Sequence, residues 1–236
     1  MKVSLINGVV MGGGAGLSMN TSFRVVTERS VFAMPEVSIG LFPDVGASYF
    51  LSRLPGYFGE YLGLTGRRLN GAEMVKCGLA THFVPSKSLN LLENALQSLS
   101  TSDISTITAL IDKFTEIVYL KENSPLKRLE TINKCFSKGT VEEIILSLEK
   151  EIEVDGAEKW MTEALNYMRE SCPTSLKIWL RSVREGRVQS IEECLKRDYN
   201  ISCHFLRRTV NNDFYEGSRA KLFDKDNKAM VRQRER

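Results

Sequence analysis

The apolar pattern of this chain changes once, and that change limits its fold more than any other feature. As far as Pro85, short apolar runs rich in branched residues alternate with turns carrying Gly and Pro; from Ser86 on, apolar residues recur almost wholly at helical spacing. The first 85 residues therefore read as a compact α/β core, and residues 86–236 as a helical region. Within the core, residues 3–11 suit a buried strand, after which Gly12-Gly13-Gly14-Ala15-Gly16 turns into a short helix at Leu17-Ser18-Met19. Residues 24–27 and 31–34 read as two further strands. Asp44 stands where it would cap a helix ending near Pro55-Gly56. Helices over residues 57–64 and 71–77, then a short strand before Pro85, complete this part.

In the helical region, Thr140-Val141-Glu142-Glu143 and Ser190-Ile191-Glu192-Glu193 are capping boxes. Val141, Ile144, Ile145, Leu148 and Ile152 form one apolar stripe behind the first of them. Pro173 begins the helix carrying Leu176, Leu180 and Val183, and Trp160, Ala164 and Met168 stripe the helix before it. These Trp and Met residues read as core, with no cofactor implied. Residues 121–138 read as the most mobile connection.

Composition narrows the functions open to the chain. With 42% hydrophobic and 26% charged residues it is an ordinary globular sequence, which excludes a disordered polymer. A net charge of +3, from 32 Lys and Arg against 29 Asp and Glu, is too small to suggest a nucleic-acid surface. No apolar stretch approaches the ~20 residues that span a bilayer, so no membrane segment is expected. Asn7-Gly8 interrupts the apolar start and Arg234-Glu235-Arg236 closes the chain, so neither a leader nor a peroxisomal address is expected. Five cysteines without a C-x-x-C pair read as reduced intracellular thiols. His82 and His204, the only histidines, cannot supply a His-rich metal site and are expected to be structural.

Two features could carry chemistry. The first is the glycine cluster at 12–16, where a dinucleotide fingerprint fails in register: its third glycine would fall on Leu17 or Met19. The alternative use of such a turn is an oxyanion site, because backbone N–H groups at a helix start stabilise negative charge, and Gly13 is the natural donor. A tight turn with packing value only is the plainer reading. The second feature is Glu36 and Asp44 in Ala33-Met34-Pro35-Glu36-Val37-Ser38-Ile39-Gly40-Leu41-Phe42-Pro43-Asp44-Val45-Gly46. An apolar loop raises a carboxyl pKa by desolvation and fixes its position, which suits acid–base or nucleophilic work. A solvated loop acid and a helix cap are the plainer readings of the two residues.

These same residues carry a resemblance. Asn7-Gly8-x-x-Met11-Gly12-Gly13-Gly14-Ala15-Gly16-Leu17-Ser18 and Phe32-Ala33-Met34-Pro35-Glu36-x-x-Ile39-Gly40-Leu41-Phe42-Pro43-Asp44-Val45-Gly46 resemble the crotonase superfamily, and within it the 3-hydroxyisobutyryl-CoA hydrolases of valine breakdown. The resemblance continues through Leu64-Thr65-Gly66, the run from Gly78 to Val84, Pro173-Thr174-Ser175-Leu176-Lys177 and Asp213-Phe214-Tyr215-Glu216-Gly217, covering nearly the whole chain. It implies a spiral β-β-α fold with a C-terminal helical region closing the acyl-CoA site. It also implies hydrolysis of the 3-hydroxyisobutyryl-CoA thioester, with Glu36 as principal catalytic carboxylate, Asp44 as second acid and Gly13 as second oxyanion donor. Hydratases of the superfamily carry a second glutamate where this chain has Gly16, which favours hydrolysis over hydration or isomerisation.

Lys225, in Asp224-Lys225-Asp226, is a candidate contact for the CoA phosphates, with a solvated lysine as the equal alternative. The resemblance implies a small-molecule acyl-CoA substrate and no cofactor beyond the CoA of that substrate; crotonase relatives often form trimers or their multiples, which makes a homo-oligomer one expectation and leaves the oligomeric state open. It also implies mitochondria, with peroxisomes as the other compartment. Family members carry further strands, an adenine-binding segment and the first oxyanion donor ahead of the position of Met1. On this comparison the chain is expected to be an N-terminally truncated and weak enzyme with an exposed sheet edge. The alternative is a catalytically silent homologue that binds a full-length relative.

Overall fold

The computed structural model of the protein describes residues 2–156, 158–209, 211–226, 228 and 229. The elements in chain order are β1 (Val3–Ile6), β2 (Val9–Met11), α1 (Gly13–Met19), β3 (Phe23–Val26), β4 (Val31–Ala33), α2 (Ala47–Phe50), α3 (Phe58–Thr65), β5 (Leu69–Asn70), α4 (Gly71–Cys77) and β6 (His82–Phe83). Only helices follow among the described residues: α5 (Leu89–Gln97), α6 (Ile104–Asp112), α7 (Leu129–Phe136), α8 (Val141–Asp155), α9 (Lys159–Glu170), α10 (Pro173–Gly186), α11 (Ile191–Leu206) and α12 (Asp213–Ser218). A 3₁₀ turn at Glu36–Ile39 lies between β4 and α2. The expected α/β character and the change to helices after Pro85 are both present.

Two compact units emerge from packing: one holds the chain up to Phe32 together with Arg68–Lys127, the other Ala33–Arg67 together with the chain from Arg128 on. The sequence reading divided the chain at residue 85 by the kind of element, whereas these units follow which elements pack together.

In the first unit, the single strand expected over residues 3–11 is two strands in two sheets. β1 pairs in parallel with β3, and β3 with β6, while β2, β4 and β5 form the other sheet. The break falls at Asn7-Gly8, where Asn7 Oδ1 accepts a hydrogen bond from Thr27 Oγ1 at 2.8 Å. Among the described residues β1 and β2 are edge strands, as expected of the first strand. Phe23 and Val25 of β3 pack with Val84, Leu89, Leu92, Ile107 and Ile111 to form this unit's core. Asn70 and Glu73 make a reciprocal capping box that opens α4, and Gly78, at φ 89°, ends it.

The second unit is built around α3, in which every residue is buried. Tyr61 of α3 meets Phe136 of α7 edge-on at 5.3 Å between ring centroids and Trp160 of α9 at 5.8 Å. A Cβ on Gly63 would lie 2.2 Å from the Trp179 ring of α10, so the two helices approach this closely only because residue 63 has no side chain. Buried Glu60 meets Arg187 at 2.6 Å, which compensates a carboxylate otherwise costly inside an apolar layer. The capping boxes at Thr140 and Ser190 open α8 and α11, and Pro173 occupies the first turn of α10, as expected. Residues 121–138 depart from expectation. They hold a 3₁₀ turn at Pro125–Arg128 and then α7, whose Ile132, Cys135 and Phe136 are fully buried. Their many charges hid a short amphipathic helix.

Candidate active site

Glu36 opens the 3₁₀ turn that follows Met34-Pro35, and Gly40 closes that turn at φ 73°, ψ 18°. A Cβ on Gly40 would sit 2.3 Å from the carbonyl oxygen of Asp213, so α12 packs directly on the turn. Three longer-range contacts hold it: Tyr167 Oη of α9 donates to the Pro35 carbonyl at 3.2 Å, Cys172 N–H donates to the Val37 carbonyl at 3.3 Å, and Gly217 packs on Ile39. The side chain of Glu36 is 6% exposed, and its Oε2 is buried without a hydrogen-bond partner. Its pKa is raised to about 8: burial, the largest cause, and the charge of Asp44 push it up, while a hydrogen bond from its own backbone N–H pulls it down. Glu36 is thus not a solvated loop acid. It is a desolvated carboxyl on a turn held by contacts from α9 and α12, with one oxygen that makes no hydrogen bond among the described residues.

Asp44 follows Phe42-Pro43, with Phe42 fully buried and its ring stacked on Phe205 of α11 at 5.8 Å. It is half-buried, and burial raises its pKa against the pull of its own backbone N–H. The expected helix cap is absent. The residue preceding α2 is Gly46, at φ 81°, and no side chain caps the helix; Asp44 supplies only its carbonyl, which accepts from Ala47 N–H at 2.8 Å. The cause is local: Val45 takes φ 54°, which carries the chain through a left-handed turn before the helix and moves its start beyond Asp44. The Gly46 N–H is instead bound by Asp198 of α11 at 2.9 Å. Glu36, Asp44 and Asp198 thus sit in one unit, and the charge of Asp44 bears on each of the other two.

Gly13 belongs to the other unit and is the first residue of α1, where the opening amides of a helix have no intrahelical acceptor. It is exposed, and a Cβ there would meet nothing within 4 Å. Gly12 before it takes φ 49°, ψ −127°, a conformation open to glycine. Lys225 is exposed and takes φ 56°, beside Asp224 and Asp226, which both pair with Arg219. His82 lies against Asp112 at 3.4 Å and His204 against Thr209 at 3.1 Å. Among the described residues no group of three or more His, Cys, Asp or Glu is arranged to hold a metal ion, and no helix is long and apolar enough to cross a membrane. Tyr167 and Asp198 escaped the sequence reading because both lie inside ordinary amphipathic helices, where nothing local marks them.

The buried Glu36 and half-buried Asp44 of the second unit, and the glycine-opened helix of the first, belong to a sequence whose family is shown by comparison with known proteins. Residues 1–235 match the family model for enoyl-CoA hydratase/isomerase, and the chain belongs to that family, the crotonase-type family it resembles in sequence. It is 53% identical over 225 residues to probable 3-hydroxyisobutyryl-CoA hydrolase 2 of Arabidopsis thaliana, covering 95% of this chain and 59% of that protein. It is 44% identical over 227 residues to the mitochondrial 3-hydroxyisobutyryl-CoA hydrolase of Homo sapiens, covering 95% of this chain and 57% of that one. Among solved structures, a carnitinyl-CoA dehydratase from Mycobacterium thermoresistibile aligns with a TM-score of 0.82 at 31% identity, covering 98% of this chain and 65% of that chain. The chain therefore spans less than three fifths of the length of these two curated relatives.

Proposed function

We propose that the protein hydrolyses an acyl-CoA thioester, 3-hydroxyisobutyryl-CoA, to the free hydroxy acid and CoA. The observation that carries this reading is Glu36: buried, held by contacts from α9 and α12, and with one carboxyl oxygen unpartnered. Thioester cleavage needs one carboxylate that either attacks the carbonyl carbon, forming an anhydride that water then opens, or takes a proton from the water that attacks. Both routes expel the CoA thiolate, and Glu36 serves either. The Gly13 N–H is the proposed donor to the oxygen that gains charge, and Asp44 the second acid, whose charge raises the Glu36 pKa and so sets the pH at which Glu36 becomes the active carboxylate. Gly16, in place of a second glutamate, favours hydrolysis over addition of water to a double bond. Lys225, exposed near the end of the described chain, is the proposed contact for the CoA phosphates. CoA enters as part of the substrate and no further cofactor is invoked. The relatives' names support this substrate and, through the human protein, a mitochondrial setting.

The test follows CoA release from 3-hydroxyisobutyryl-CoA with a thiol reagent, with crotonyl-CoA hydration assayed in parallel. Hydrolysis lost in Glu36→Gln supports the reading. Hydration of crotonyl-CoA with the thioester left intact overturns it, and points to the hydratase branch of the family.

A further inference from the structure

Asp198 has no part in the chemistry above, yet its setting is unusual for a residue in the middle of a helix. It is 3% exposed, its Oδ2 accepts from Gly46 N–H at 2.9 Å, and its Oδ1 is buried without a partner. The adjacent cation is engaged elsewhere. Arg197 donates to Ser48 Oγ at 2.7 Å and the Ser182 carbonyl at 3.0 Å, and also meets Glu185 and Gln189. Among the described residues the hydrogen bond to this buried carboxyl therefore comes from a backbone amide of the turn that carries Asp44.

That turn is strained. Val45 is β-branched and takes φ 54°, a region that side chains of its kind avoid. Such a conformation persists only where its surroundings over-determine it. Two hydrogen bonds do so on either side of Val45: Ala47 N–H to the Asp44 carbonyl, inside the turn, and Gly46 N–H to Asp198, from a helix 152 residues away in sequence. Removing the second leaves the strain to relax, and the direction in which Asp44 leaves the backbone relaxes with it.

We propose that Asp198 is a positioning residue for Asp44, holding the left-handed Val45-Gly46 turn through the Gly46 amide so that the Asp44 side chain keeps its direction from the backbone. In its kinetic arm the inference rests on the hydrolase reading given above; in its spectroscopic arm it does not. The charged groups bearing on Asp198 are Asp44 from the turn and Arg197 from its own helix, with Glu36 reached through Asp44. The Asp198 pKa is raised to about 6, by burial above all and by the charge of Asp44, against the lowering pull of the Gly46 N–H and Arg197. Asp198 therefore gains charge near pH 6, and the amide bound to it reports that change.

The experiment compares Asp198→Ala and Asp198→Asn with the unaltered chain. Asn keeps an oxygen that accepts from Gly46 N–H, and Ala does not. In the hydrolysis assay Asp198→Ala is expected to lower kcat at least tenfold with KM within threefold, and Asp198→Asn to keep at least a third of kcat. By NMR, the Gly46 amide of the unaltered chain is expected to shift as pH passes about 6, and to lose that shift in Asp198→Asn. The Asp44 carboxyl is expected to titrate lower, as an ordinary exposed aspartate, in Asp198→Ala but not in Asp198→Asn. A folded Asp198→Ala chain with unchanged kcat and an unchanged Asp44 titration overturns the proposal. If the unaltered chain hydrolyses no acyl-CoA, the hydrolase reading fails and the titrations alone decide the positioning role. If Asp198→Ala does not fold, Asp198→Asn decides: retained kcat with a pH-independent Gly46 amide supports the proposal, and a tenfold loss refutes it.

Discussion

Replacing Glu36 by Gln should separate its role in stability from its role in chemistry. The folded chain holds the Glu36 proton up to about pH 8, whereas an unfolded glutamate releases it near 4.5. Stability from this group is therefore complete below the lower value and falls as pH rises toward the higher, at ~1.4 kcal/mol per pH unit between them. From pH 6 to pH 8 the loss is on the order of 2 kcal/mol, since half of the ionisation still lies ahead at pH 8. Glu36→Gln cannot ionise, so it should lack this slope. Its buried amide hydrogens add a constant penalty of roughly 1–3 kcal/mol at every pH, which does not affect the comparison. Asp198 and His82 titrate in both chains and cancel. Urea unfolding followed by tryptophan fluorescence suits the measurement, because both tryptophans, Trp160 and Trp179, lie in the unit that contains Glu36. If the two chains lose the same stability between pH 6 and pH 8, within ~0.5 kcal/mol, Glu36 is not desolvated as argued. The same ionisation should appear in catalysis as a kcat/KM that rises with pH up to about 8.

Asp44→Asn should slow acyl-CoA hydrolysis at least tenfold while moving the melting temperature little, because the Asp44 side chain caps no helix; a large fall in melting temperature with unchanged kinetics would contradict this. Gly13→Pro removes the amide at the first position of α1, where proline is tolerated, and should cost ~10²–10³ in kcat, whereas Gly13→Ala keeps the amide, meets no neighbour and should not. Equal kinetics for these two variants would remove Gly13 from the oxyanion role. Gly40→Ala should destabilise the chain by more than ~2 kcal/mol in urea unfolding, since its Cβ would lie 2.3 Å from the Asp213 carbonyl oxygen and its φ is 73°; a smaller loss would mean that α12 moves aside easily.

The sequence by itself determined whatever depends on neighbours within one helical turn. Ser190 with Glu193 and Thr140 with Glu143 set helix starts, Pro173 opened α10, and the stripe from Val141 to Leu148 chose the buried face of α8, because each signal is closed within three or four residues. Motif order, from the glycine cluster to Met-Pro-Glu and Phe-Pro-Asp, was likewise enough to point to the family. The same window misled where a distant contact prevailed: Asp44 has the look of a cap, and residues 121–138 the look of a linker. Only the tertiary structure decided the chemistry of the acids. Glu36 is shifted by burial under α9 and α12, Tyr167 reaches Pro35 across 132 positions, and Asp198 reaches Gly46 across 152. A pKa and a backbone turn are set by which groups exclude water and supply hydrogen bonds, and in a folded chain those groups come from anywhere in the sequence.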